Sequence, residues 1–114
     1  MSDKGMEEEV YSEVYSIAEI QRIVAPIASK YGVERVYLFG SYARGEAIDV
    51  SDIDFIIDKG CLHGLQFAGM LGDLQEIFDK SIDLLTTSGV NDYKGNLSFK
   101  ESVEKDMVLI YEQQ

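Results

Sequence analysis

A chain of 114 residues fits one domain and leaves no room for a second independent core, and 46% apolar residues are too many for a disordered chain. With 21 acidic residues against 10 basic, the formal charge of -11 argues against coating of nucleic acid or of an anionic membrane, either of which would repel it. A single cysteine, Cys61, and a single histidine, His63, exclude an intramolecular disulfide and any cysteine- or histidine-cluster metal site.

Residues 1–15 are expected to form an acidic N-terminal extension, with Asp3, Glu7, Glu8, Glu9 and Glu13 against Lys4. It reads either as a frayed lead-in or as a helical arm, in which Val10 with Val14 and Tyr11 with Tyr15 share one face. It lacks the basic and apolar parts of a signal peptide, and no apolar run approaches the roughly 20 residues that span a bilayer. The expectation is a soluble, cytoplasmic protein with its domain over residues 16–114. Ser16 and Glu19 have the spacing of a capping box and should open a helix. Ile17, Ile20, Val24, Ile27, Ala28 and Tyr31 continue it as an apolar stripe, with a kink or restart expected at Pro26 and an end at Gly32.

Residues 35–39 form a β-branched and aromatic run that reads as a buried strand, punctuated by Gly40 and Ser41. Residues 53–57 read as a second strand. Residues 65–78 read as a helix, in which Gly69 and Gly72 mark close packing or a bend. Residues 82–86 are a third strand. A polar loop over 88–96, a helix over 97–106 and a last strand over 108–111 complete the pattern. The expected class is α/β or α+β, a small mixed sheet of about 3–4 strands flanked by helices.

Chemistry is concentrated in residues 38–58, LFGSYARGEAIDVSDIDFIID. Gly40 permits a tight turn and close approach to a ligand, and the Ser41 hydroxyl with nearby N–H groups suits a phosphate. Asp52 and Asp54 lie two apart and point to one face of the expected strand. If the strands pair, Asp83 can join them. Two carboxylates about 4 Å apart repel by roughly 1 kcal/mol in water and about 4 kcal/mol at an effective dielectric of 20, so such a cluster calls for protons or cations. Magnesium holding a nucleoside triphosphate fits these hard oxygen donors. Taken singly, Gly-Ser is an ordinary turn, D-x-D a solvated strand face and Asp83 a strand-end acid; their order in a short chain is what joins them.

Gly40-Ser41, ten residues, then Asp52-Ile53-Asp54 resembles the signature of the DNA polymerase β-like nucleotidyltransferase superfamily. FGSYARGEA followed by SDIDFII and SIDLLT resembles its minimal nucleotidyltransferase (MNT) branch, over residues 17–112. The resemblance implies that Asp52, Asp54 and Asp83 hold metal, two Mg2+ ions, with Asp83 helping to deprotonate the acceptor. It implies that Gly40 and Ser41 hold the triphosphate of ATP, while Arg44 stabilises phosphate charge or braces the loop, a salt bridge to Glu46 or Asp49 being the structural alternative.

Tyr42, beside Ser41, is the one tyrosine expected near the nucleotide. Asp49, Asp58, Cys61 and His63 are expected to be bystanders. The branch pairs with a helical HEPN toxin, a ribonuclease, as its antitoxin and transfers AMP from ATP to a tyrosine of that partner. With no acceptor-binding domain expected in so short a chain, another protein should deliver the acceptor. Two alternatives stand beside this reading: transfer to a small molecule or RNA end, and a non-catalytic antitoxin that neutralises its partner by contact.

Overall fold

A computed structural model of the chain describes residues 14–58, 60, 62–91, 101 and 105–113, with the side chains of 90 and 91 left aside. Helix α1 (Ile17–Tyr31) opens as the capping box requires: Ser16 Oγ accepts from the Glu19 N–H at 3.0 Å, and Glu19 Oε1 accepts from the Ser16 N–H at 2.8 Å. It runs through Pro26 without a restart, because that residue stands exposed and only one intrahelical hydrogen bond is lost. Gly32 at φ 71° ends the helix, its N–H donating to Ser29 O and the Val33 N–H to Ala28 O.

Strand β1 (Arg35–Phe39) leads directly into the one-turn helix α2 (Gly40–Arg44). Strand β2 (Ile53–Asp58) precedes helix α3 (Gly64–Phe78), which packs beside α1. Strand β3 (Ile82–Thr86) is followed by a short helix α4 (Thr87–Asn91), which occupies the start of the expected polar loop. Five residues are too few to show a helical period, so nothing in the sequence signalled α4. Strand β4 (Val108–Glu112) closes the sheet.

The sheet has the order β3-β2-β1-β4, with β1 antiparallel to both β2 and β4 and β2 parallel to β3. It is therefore the small mixed sheet expected. The inward side chains of the strands, Val36, Leu38, Ile53, Phe55, Ile57, Ile82 and Leu84, pack with Ile20, Val24, Met70, Leu74 and Phe78 of α1 and α3 in the main core. A smaller cluster lies on the other face, where Ile56 is buried among Tyr37, Phe39, Leu85 and Met107. That face also carries Asp54.

At the entrance to the domain, Tyr15 rests its ring edge-on against Phe78 at 5.1 Å and donates its hydroxyl to Phe78 O at 3.0 Å. Val14 and Tyr15 are not helical. The rest of the acidic lead-in, Cys61 and most of the helix expected over 97–106 lie outside the described residues, of which Glu101, Lys105 and Asp106 are helical. Among the described residues, no helix is long and apolar enough to cross a membrane.

Candidate active site

Sheet register brings the expected site residues together at one end of the strands. Asp54 is the second residue of β2, and pairing sets it opposite Phe39 of β1 on one side and Asp83 of β3 on the other. The Ile53 N–H donates to Ser81 O at 3.1 Å, fixing the parallel register that sets the two acids abreast. The Asp83 carboxyl group therefore stands beside that of Asp54 and disfavours its ionisation. Asp52 lies just before β2, exposed, and acts on Asp54 through its charge.

Burial first, then the hydrogen bond and charge of Asp83 and the charge of Asp52, push the Asp54 carboxyl group up to about 7; Arg44 pulls weakly the other way. Folding therefore assembles like charges that only a proton or a cation reconciles. Among the described residues, no three ligand groups already converge on a single point; Asp54 and Asp83 lie abreast in the sheet and Asp52 lies just outside it.

Gly40 lies where the strand turns into α2, at φ 73°, a conformation that side-chain-bearing residues rarely adopt. A methyl group there would also overlap the Asp54 carboxylate. Only glycine lets the backbone turn this close to the acids. Ser41 follows it in the first turn of α2, half-buried. Gly45 at φ 74° ends the same turn, its N–H donating to Tyr42 O and the Glu46 N–H to Ser41 O. Glycines thus close α2 at both ends.

Arg44 forms the ion pair expected with Glu46, at 3.0 Å, and a second with Asp106 at 3.0 Å, rather than with Asp49. Asp106 precedes β4 and lies 62 positions from Arg44, so no local signal in the sequence joined them. Tyr42 departs from expectation: its ring is buried in the main core, because the one-turn helix directs it inward. Asp58, at the other end of β2, pairs with Arg35 at 2.9 Å, well away from Asp54. Asp49 is exposed, and the His63 N–H donates to Gln66 Oε1 at the start of α3, so both remain outside the site.

Residues 21–114 match the polymerase β nucleotidyltransferase family. A chain named as a protein adenylyltransferase in Methanocaldococcus jannaschii is 34% identical over 90 residues, which are 78% of this chain and 97% of the relative. Among solved structures, a toxin–antitoxin with AMP-PNP superposes with a TM-score of 0.62 at 20% identity, covering 82% of this chain and 74% of the other. A chain from the complex of a tri-AMPylated Shewanella oneidensis HEPN toxin with its MNT antitoxin gives a TM-score of 0.59 at 16% identity, covering 86% and 74%. At such identities these two likenesses establish the fold.

Proposed function

The chain belongs to the polymerase β nucleotidyltransferase family, and from that premise we propose that it is an antitoxin that transfers AMP from ATP to a tyrosine of a HEPN-type toxin. The observation that carries the proposal is the pairing of Asp54 with Asp83 in sheet register beside the Gly40 turn, where the backbone comes so near the Asp54 carboxylate that no side chain would fit. The domain over residues 16–114 does the work, in the cytoplasm, where ATP is available.

Magnesium fits the donor set, since the oxygens of Asp52, Asp54 and Asp83 are hard ligands and lie near one another. Bound there, it would supply charge neutralisation at the phosphates and at the attacking oxygen. Gly40 and Ser41 hold the triphosphate, the glycine by close approach and the serine through its hydroxyl. Arg44, fixed by Glu46 and Asp106, adds a positive field at the site and braces α2.

The acceptor tyrosine oxygen bonds to the α-phosphorus of ATP as the bond from that phosphorus to the bridging oxygen breaks. Pyrophosphate leaves with that bond's electron pair, and the phenolic proton passes to Asp83. The test is incubation with magnesium, labelled ATP and the product of the adjacent gene as the candidate HEPN-type partner. An adenylyl mass on a partner tyrosine, reduced by about a hundredfold or more in Asp52→Asn and in Asp54→Asn, is expected. Tight binding without label, with neutralisation intact in both variants, would sink the proposal.

A further inference from the structure

Between α2 and β2 the chain holds two branched aliphatic side chains out into solvent: Ile48 is 59% exposed and Val50 is 78% exposed. Scattered exposed apolar residues are ordinary, but these sit two apart in a turn that fixes them there. The Ile48 N–H donates to Ser51 Oγ at 2.9 Å, and the Ser51 N–H donates back to Ile48 O at 2.9 Å. Lys80 Nζ donates to Asp49 O, tying the loop to the turn between α3 and β3. A loop closed in this way cannot fold its aliphatic groups inward.

Its position gives those groups a use. Val50 precedes Asp52 by two residues, which keeps them within about 7 Å along the chain. The loop leads directly into Asp52 and β2, beside the acids to which an acceptor hydroxyl group would be brought. The charges in residues 46–52 are all negative: Asp49 is exposed between the two aliphatic residues, while Glu46 is paired with Arg44 and Asp52 adjoins the acids of β2. We propose that this loop is the docking contact for the acceptor protein: Ile48 and Val50 seat in an apolar recess of that protein whose rim carries lysine or arginine. Branched aliphatic anchors surrounded by opposite charge give an interface affinity at the centre and orientation at the edge. The proposal rests on the adenylyl-transfer reading, whose acceptor is a protein.

The test uses the full chain and the HEPN-type partner, with two readouts: partner affinity by calorimetry and the KM for the partner in labelled transfer. The double variant Ile48→Ser, Val50→Ser should raise the partner Kd and the partner KM by about tenfold or more, with kcat at saturating partner and ATP affinity within about twofold. Ile48→Val with Val50→Ile should restore both. Leu65→Ser, 90% exposed at the start of α3 beyond the far end of β2, should change neither. Unchanged affinity and KM in the double variant would overturn the docking surface while leaving adenylyl transfer standing. Loss of binding in the double variant, with no label transferred by the parent chain, would keep the surface and remove the transfer. A parent chain that neither binds nor labels the partner overturns both.

Discussion

Asp54 has its carboxyl group pushed up to about 7 from an ordinary 3.8, by burial first and then by Asp83 and Asp52. Below about pH 4 the group is protonated in folded and unfolded chains alike, and its burial is free of charge penalty. Between about 4 and 7 the unfolded chain releases the proton and the folded chain retains it, so stability falls across that window. Above about 7 the penalty is complete. Asp54→Asn keeps a hydrogen-bonding partner for Asp83 and removes the charge, so the variant should lose this pH dependence. In thermal unfolding without divalent ions, the parent chain should lose several degrees of Tm between about pH 5 and pH 8 relative to Asp54→Asn, a modest difference because the group is only half-buried. Magnesium should restore the parent at the higher pH and leave the variant nearly unmoved. Parallel pH profiles for the two proteins would show that Asp54 is not the strained group. The proposed cation site is thus expected to weaken the fold that carries it until a cation arrives.

The two interior glycines of α3 differ in what surrounds them. A methyl group at Gly69 would come within 3.0 Å of the Tyr31 hydroxyl, which is held by its 2.7 Å hydrogen bond to Asp73, whereas at Gly72 it would meet nothing within 4 Å. Gly72→Ala should therefore collect the helix-propensity gain of about 1 kcal/mol and raise Tm by roughly 4 °C. Gly69→Ala should not, since the close approach of α1 and α3 leaves its methyl no space. Equal gains at both sites in thermal unfolding would refute this account of the helix contact. The sequence disclosed α1, β1 and β3 nearly to the residue because their signals are local: the Ser16–Glu19 cap, the αL glycine at 32, and short β-branched runs. Motif order singled out Asp52, Asp54 and Asp83 as candidates, and the sheet sets Asp54 and Asp83 abreast. Their pairing was not legible, because register depends on contacts such as Ile53 N–H to Ser81 O that join distant segments. The same holds for the Arg44–Asp106 pair and for the inward turn of Tyr42, which depends on how α2 sits on the sheet. The helix does not restart at Pro26, because a proline on the solvent side of a well-capped helix costs one hydrogen bond without ending it.

A formal charge of -11 over 114 residues sets two electrostatic effects against each other when salt is added. Screening weakens the described ion pairs, in which Lys30, Arg35 and Arg44 engage five carboxylates. Each is at the surface, where solvent screens it and it contributes little. Screening also relieves repulsion among the remaining acids, an effect summed over the whole surface and opposed to the compact state. Sodium chloride shortens the Debye length from about 30 Å at 0.01 M to about 3 Å at 1 M, which leaves contact pairs partly intact and removes nearly all longer-range repulsion. The longer-range effect should win. Tm at neutral pH is expected to rise by several degrees as sodium chloride increases from about 0.01 M to about 0.5 M. Arg44→Gln, which removes the Glu46 and Asp106 pairs and deepens the negative charge, should start lower and rise more steeply. A Tm that falls with salt would mean that the ion pairs of Arg35 and Arg44, rather than net repulsion, govern the electrostatics of the fold. Magnesium separates from this general response by concentration: a rise at millimolar levels, where sodium at equal ionic strength has little effect, would report binding at the carboxylates instead of screening.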